Sequence, residues 1–181
     1  MIERANAFDF LGPRTLVGPA LQVGDPAPDF ALVNAMLATE TLASFAGKPL
    51  VLSVVPSLDT SVCSKQSLRF NEAATTLADR VSFVTVSADL PWAQARWCSS
   101  NHADFLQTLS DHRELSFGQS YGTYLPDFRV ESRAVFVVDA AGVLCYAEYV
   151  PTAGQEPDYA AALAALEAAL AERIRERIRV P

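Results

Sequence analysis

Apolar residues gather in short continuous runs that alternate with segments of helical spacing. The runs at residues 50–55 and 80–89 are short and rich in β-branched side chains, which is typical of strands buried on both faces. Between them, residues 65–78 repeat apolar side chains at helical intervals. Strand, helix and strand in this order predict a right-handed parallel crossover. The apolar face predicted for the helix consists of Leu68, Ala73, Ala74 and Leu77.

The rest of the chain continues this alternation. Gly12 and Pro13 separate two apolar runs, which predicts that the chain opens with a β-hairpin. A second hairpin is expected where residues 133–139 and 143–149 flank a turn that contains Gly142. The other expected elements are a strand at 30–33, a single turn at 42–47, a helix that begins near Pro91, a strand at 106–110, a helix at 113–122 and a loop at 124–131.

The last segment predicts one amphipathic helix that starts near residue 155. Its apolar positions are Tyr159, Leu163, Leu166, Leu170, Ile174 and Ile178. We interpret Arg173, Arg175, Arg177 and Arg179 as a solvated helix end rather than a site for an anionic partner. The elements together predict an α/β fold with parallel and antiparallel strand pairs, which is compatible with a thioredoxin-like core.

Length and charge limit the kinds of protein that this chain can be. With 181 residues, of which 50% are hydrophobic, we expect one domain over residues 1–181, with residues 1–22 as an N-terminal hairpin extension. The net charge of -7 argues against a nucleic-acid surface. No apolar run approaches the roughly 18 residues of a membrane span, and residues 1–6 lack the apolar core of a signal peptide. The expected location is the cytoplasm.

Cysteine usage is sparse, and it points to chemistry rather than to structural cross-links. Cys63, Cys98 and Cys145 are too widely spaced for the disulfide framework of small secreted domains. Neither a CxxC nor an HxxxH pattern is present, so the usual ligand spacing of a zinc site is missing. We expect no metal and no cofactor. Cys145 falls within a predicted strand, and we interpret it as a buried structural residue.

Cys63 occupies the position that most favours a reactive thiol. Pro56 closes the strand at 50–55, and the polar residues up to Thr60 are of types that cap helices, so Cys63 is expected in the first helical turn. Backbone N–H groups and the positive end of the helix dipole stabilise a thiolate there, and the thiolate is the nucleophile. Thr60 can turn its hydroxyl toward the sulfur or toward an attacking group. An ordinary capped helix with a small apolar cysteine explains the same pattern equally well.

Two stretches together resemble the thiol peroxidase family of atypical two-cysteine peroxiredoxins. They are Pro56-Ser-Leu-Asp-Thr-Ser-Val-Cys63 and Ser87-Ala-Asp-Leu-Pro-Trp-Ala-Gln-Ala-Arg-Trp-Cys98. The likeness extends to the opening hairpin and to the segments at 23–30, 132–139 and 156–159. It implies a thioredoxin-like fold of the peroxiredoxin type, with a mixed central sheet flanked by helices and an N-terminal β-hairpin.

The resemblance also implies a role for each residue of the site. Cys63 would be the peroxidatic nucleophile and Cys98 the resolving cysteine, and Pro56, Thr60 and Arg133 would complete the site. Arg133 could not be chosen from the sequence pattern, because an arginine before an apolar strand is more often a solvated strand end. Its chemistry nonetheless fits, since a guanidinium group favours a thiolate and donates hydrogen bonds to peroxide oxygen.

The implied reaction reduces hydrogen peroxide and organic hydroperoxides through a sulfenic acid on Cys63 and an intrachain disulfide with Cys98. The resemblance further implies thioredoxin as the reductant and a homodimer, for which the apolar hairpin, Trp92 and Trp97 would permit an interface. Ser61 stands where the family commonly has proline or glycine, which should loosen the turn.

Two other classes of protein stay open from the residues alone. A thioredoxin-like redox sensor or partner-binding module could use the same disulfide as a switch, and rapid turnover with thioredoxin would separate it from a peroxidase. A disulfide oxidoreductase is less well supported, because no second cysteine follows Cys63 in a CxxC pattern.

Overall fold

A seven-stranded mixed sheet forms the centre of the fold. The computed structural model describes residues 2–179, with side chains through residue 173. The strands are β1 (Glu3–Asp9), β2 (Pro13–Val17), β3 (Leu32–Val33), β4 (Thr39–Glu40), β5 (Leu50–Val54), β6 (Ser82–Ser87), β7 (Gln107–Ser110), β8 (Tyr124–Leu125), β9 (Val130–Glu131), β10 (Ala134–Val138) and β11 (Leu144–Tyr149). The helices are α1 (Ser61–Ala74), α2 (Pro91–Asn101), α3 (Ser116–Tyr121) and α4 (Tyr159–Arg179), and a 3-10 turn covers Leu42–Phe45.

The strand order of the central sheet is β11-β10-β5-β6-β7-β3-β4. Strand β6 pairs in parallel with both β5 and β7, which confirms the parallel pairing predicted for the first two apolar runs. The hairpin of β10 and β11 joins the other side of β5 with antiparallel pairing. Every residue of β5 and β10 is buried, as expected for strands whose two faces are both covered.

The two faces of the sheet carry separate sets of core side chains. On one face, Phe70 of α1, Trp97 of α2 and Leu166 of α4 belong to the cluster that contains Val51 and Val135. On the other face, aromatic side chains of α3 pack with Leu52 and Phe136, and two of them, Phe117 and Tyr121, stack with ring centroids 4.2 Å apart. The alternation along β5 and β10 therefore divides the core into two layers.

Helix α1 buries a more polar face than the one predicted. Leu68, Ala73 and Leu77 are only partly buried at the edge of the core. The predicted face omitted Phe70, although it is apolar, and Gln66, which a search for apolar side chains does not detect. The buried side chains of α1 are Cys63, Gln66, Ser67, Phe70 and Ala74.

The opening hairpin is confirmed, and it belongs to a second sheet of four strands in the order β1-β2-β8-β9. The loop predicted at residues 124–131 was wrong, because β8 pairs with β2 and with β9. Each of these two strands has only two residues. Alternation over two residues is too short to be recognised without knowing the partner strand.

Several boundaries shift relative to the predicted ones. Helix α3 is shorter than the predicted segment at 113–122, and α4 begins at Tyr159, after Pro157. Leu163, Leu166 and Leu170 pack on the core as predicted. The side chains of Ile174, Ile178, Arg175, Arg177 and Arg179 lie outside the described residues. Within the described part of the chain, no helix combines the length and apolar character needed to cross a membrane.

Candidate active site

Cys63 is the third residue of α1 and lies at the end of the turn that follows β5. Its side chain is 1% exposed. Thr60 is the N-cap residue of this helix, and its carbonyl accepts a hydrogen bond from Ser64 N at 2.9 Å. The thiol therefore lies in the first helical turn, where the backbone N–H groups without helical partners favour negative charge.

Arg133 lies directly before β10 and is also 1% exposed. Its Nη2 is 3.4 Å from Cys63 Sγ and donates to Ala153 O at 2.8 Å. Its Nη1 donates to Gln66 Oε1 at 2.7 Å. The guanidinium group has acceptors on both terminal nitrogens and is thereby held beside the sulfur, where it can donate hydrogen bonds to an oxygen bound there.

Gln66 is a site residue that the sequence reasoning missed. It is fully buried, and its Nε2 donates to Ser53 Oγ at 2.8 Å while its Oε1 accepts from Arg133. The side-chain amide thus joins β5 to the guanidinium group. A signal existed in the sequence, because Gln66 follows Cys63 by three residues and so shares its helix face.

The carbonyl of Ala153 is held in place by the N-terminal hairpin. Asp9 N donates to Pro151 O at 2.7 Å, and Ala153 N donates to Asp9 O at 2.9 Å. These two bonds fix the loop after β11, whose Ala153 O in turn accepts from Arg133. The guanidinium group is therefore positioned by three parts of the chain that are distant in sequence.

Pro56 and Thr60 lie in the turn between β5 and α1. Pro56 is buried, whereas Thr60 is exposed at the entrance to the site. The Thr60 hydroxyl donates to Ser57 O at 3.0 Å, so in this structure its hydrogen is directed to the turn rather than to the Cys63 sulfur. The lone pairs of the Thr60 oxygen can accept a further hydrogen bond.

Cys98 lies on α2 and faces a different part of the molecule. Its Sγ contacts Thr108 Oγ1 of β7 at 3.8 Å and lines a cavity of about 430 Å³ together with Met36. Burial raises the pKa of the Cys98 thiol, and the contact with Thr108 offsets this only in part. At neutral pH this thiol is protonated.

The thiols of Cys63 and Cys98 are both free. Arg133, the hydrogen-bond partner of Cys63, directly precedes β10. Thr108, the hydrogen-bond partner of Cys98, is on β7. Three strand spacings separate β10 from β7, which is roughly 14 Å. A disulfide requires Cα atoms within about 7 Å. A rearrangement of the two segments before these cysteines bond stays a prediction.

The remaining cysteine, Cys145, lies on β11 and is only half-buried. Its thiol contacts Val137 O at 3.4 Å, and burial raises its pKa to about 11. Among the described residues, Cys145 shares no hydrogen bond with Cys63 or Arg133.

A pair of buried carboxyl groups lies behind the site. Glu131 precedes Arg133 by two residues and accepts a hydrogen bond from Thr123 Oγ1, and Asp111 accepts from Gly118 N at 3.0 Å. Burial raises the pKa of both carboxyl groups, and the charge of Asp111 raises that of Glu131 further. The pair therefore retains a proton at a pH where exposed carboxyl groups are ionised.

Comparison with known proteins shows the family. The family model described as Redoxin matches residues 22–163. A thiol peroxidase of Bacillus subtilis is 51% identical over 82% of this chain and 88% of that protein. A thiol peroxidase of Oceanobacillus iheyensis is 49% identical over 85% of this chain and 93% of its own length.

The chain belongs to the thiol peroxidases of the redoxin family. The crystal structure of a peroxiredoxin-like protein from Aquifex aeolicus superposes with a TM-score of 0.81 at 34% identity, covering 87% of this chain and 93% of that one. This likeness confirms the predicted thioredoxin-like fold of the peroxiredoxin type. The roles of the individual site residues stay predictions.

Proposed function

We propose that this protein is a thiol-dependent peroxidase whose nucleophile is Cys63. The observation that carries the proposal is the contact of 3.4 Å between Arg133 Nη2 and Cys63 Sγ at the start of α1. Both side chains are 1% exposed, so the positive charge acts on the sulfur with little screening by water. The names of the thiol peroxidase relatives support the same activity.

In the first step, the Cys63 thiolate attacks one oxygen of the hydroperoxide. A sulfur–oxygen bond forms, the oxygen–oxygen bond breaks, and the departing alkoxide or hydroxide takes a proton and leaves as alcohol or water. Cys63 is thereby oxidised to a sulfenic acid. Negative charge moves from sulfur to the departing oxygen, where Arg133 and the backbone N–H groups of α1 provide fixed hydrogen-bond donors. The Thr60 oxygen can accept a hydrogen bond from the hydroperoxide O–H.

In the second step, the Cys98 thiol attacks the sulfur of the sulfenic acid. A disulfide bond forms between Cys63 and Cys98, and water leaves. Because the two segments hold their thiols apart, the start of α1 and part of α2 must unfold locally before this attack.

We further propose that a thioredoxin dithiol reduces the disulfide and completes the cycle in the cytoplasm, where such reductants maintain free thiols. We also propose that the domain over residues 1–181 acts as a homodimer. Trp92, which is 63% exposed, supports a protein contact on α2. Trp97 does not contribute to such a surface, as it is 6% exposed and packs in the core.

The test is non-reducing peptide mapping after one equivalent of an organic hydroperoxide is added to fully reduced protein. We expect a disulfide between Cys63 and Cys98 in the wild type and none in Cys63→Ser. Cys98→Ser should accumulate the sulfenic acid, and Cys145→Ser, as the control, should match the wild type. Free thiols after treatment, or a disulfide made by Cys145, would reject the assignment.

The same preparation separates a peroxidase from a redox sensor. Repeated turnover with thioredoxin, its reductase and excess hydroperoxide is expected of a peroxidase. A disulfide that forms once but recycles slowly would instead favour the sensor.

A further inference from the structure

Asp89 connects the turn before α1 to the end of β6. Its Oδ1 accepts a hydrogen bond from Ser57 Oγ at 2.8 Å, and its Oδ2 accepts from Leu58 N and from Ser87 Oγ, both at 2.8 Å. Leu58 is 2% exposed, so this turn is anchored by its backbone as well as by its side chain. The carboxylate therefore fixes the segment that leads into Cys63.

The same residue also fixes the start of the helix that carries Cys98. The backbone carbonyl of Asp89 accepts from Ser110 Oγ at 2.5 Å, which ties it to the end of β7. The next residue, Leu90, is the N-cap of α2. The carboxylate also reaches α2 itself, because Ser87 Oγ, which donates to Asp89 Oδ2, accepts a hydrogen bond from Gln94 Nε2 of α2 at 3.0 Å. Asp89 thus lies at the junction of the two segments that must rearrange.

Two further contacts join these segments along their length. Trp97 Nε1 donates to Ser64 Oγ at 3.2 Å, which connects α2 to the first turn of α1. Arg96 Nη2 lies 3.5 Å from Asp59 Oδ2, but both side chains are exposed and this ion pair contributes little. Unfolding of either segment therefore removes contacts that hold the other one folded.

We propose that Asp89 is a positioning residue that couples the folding of the Cys63 turn to that of α2, and so sets how fast the disulfide forms. The inference rests on the proposed two-cysteine reaction. Peroxide attack needs the turn folded around Cys63, whereas disulfide formation needs both segments open. A single anchor that holds both segments closed therefore favours the first step and slows the second.

The expected effects of removing the anchor have opposite signs on the two steps. Asp89→Ala loses hydrogen bonds to a charged acceptor, each of which changes a conformational equilibrium by about tenfold or more. We expect slower formation of the sulfenic acid and disulfide formation that is at least about tenfold faster. Less sulfinic acid should form under excess peroxide, because the sulfenic acid persists for a shorter time. A variant that only destabilised the fold would lower the fraction of active protein, and the two rates would not change in opposite directions.

The experiment follows both steps in one turnover. Reduced protein is mixed with one equivalent of an organic hydroperoxide and quenched at set times, and mass spectrometry measures the trapped sulfenic acid and the disulfide. Asp59→Ala is the matched control, since it removes one negative charge from the same turn without touching the Asp89 bonds. Asp89→Asn, which keeps one acceptor oxygen, should give intermediate rates. Ser57→Ala removes one of the bonds to the Asp89 carboxylate, together with the contact of 3.3 Å from Asp59 N, and serves if Asp89→Ala does not fold.

Hydrogen exchange on reduced protein without peroxide provides a readout that is independent of the chemistry. Amides of residues 57–64 and 91–101 should exchange faster together in Asp89→Ala, and neither set should change in Asp59→Ala. Variant rates and exchange equal to those of Asp59→Ala would overturn the inference while leaving the peroxidase intact. A wild-type protein that forms no disulfide between Cys63 and Cys98 would instead reject the proposed reaction itself.

Discussion

Substitution of Gln66 tests directly whether its side chain positions the guanidinium group of Arg133 beside Cys63. The guanidinium group of Arg133 is 1% exposed, and its Nε has no hydrogen-bond partner among the described residues. Nη1 donates a hydrogen bond to Gln66 Oε1 at 2.7 Å. Gln66→Ala removes this acceptor, and of the two oxygen acceptors described for the guanidinium group, Ala153 O remains. Losing a buried acceptor for a charged donor costs about 1.5–3 kcal/mol.

Two measurable effects follow from that cost. In a protein of this size, each kcal/mol lowers Tm by about 2–4 °C, so the Tm of Gln66→Ala should fall by roughly 3–12 °C. A guanidinium group released from its place beside Cys63 also loses stabilisation of the transition state. Each 1.36 kcal/mol corresponds to a tenfold change in rate, so peroxide attack should slow by about 10- to 100-fold.

The assay isolates the first chemical step by using a Cys98→Ser background, in which the sulfenic acid accumulates. Gln66→Glu keeps an acceptor for Arg133 but adds a negative charge beside the guanidinium group, so it should not recover the rate. Ser67→Ala is the matched control, because the Ser67 hydroxyl is buried in the same helix turn and has no hydrogen-bond partner among the described residues. If Gln66→Ala reacted within twofold of the parent, the reasoning that links this amide to the charge beside Cys63 would be refuted.

Three further predictions concern ionisation and packing. Since burial raises the pKa of Cys98, disulfide formation after a single oxidation should accelerate between pH 6 and pH 9, and a flat stopped-flow profile would contradict this. Glu131 has a raised pKa in the folded state, so the stability it contributes is complete below its unfolded pKa of about 4 and is lost as pH rises through the folded value. The Tm of the wild type should therefore fall relative to Glu131→Gln from pH 5 to pH 8, whereas parallel profiles would argue against it. A Cβ on Gly118 would lie 2.6 Å from Glu131 Oε2, so Gly118→Ala should lower Tm. The decrease should be smaller in a Glu131→Ala background. Equal decreases in both backgrounds would exclude this clash.

The position of Cys63 could be predicted because its determinants are local. An apolar run, a proline and capping residue types follow one another directly, and they specify strand, turn and helix without reference to any other part of the chain. The structure places Cys63 in the first turn of α1, as expected.

The surroundings of Cys63 could not be predicted in the same way. Arg133 is 70 residues away in sequence, and only the pairing of β10 with β5 brings it to the sulfur. Ala153 contributes a backbone carbonyl, which leaves no trace in side-chain patterns. Gln66 was missed because a polar residue on a helix is usually solvated, and its burial depends on the two partners it finds.

The contacts of Asp9 with residues 151 and 153 have a consequence for the newly made chain. Synthesis delivers Cys63 long before Arg133, and Ala153, whose carbonyl holds that arginine, comes later still. The loop with Ala153 is fixed only when it meets Asp9, near the other end of the sequence. The thiol therefore gains its neighbouring positive charge only once residues 133–153 have been synthesised and the loop after β11 has met Asp9.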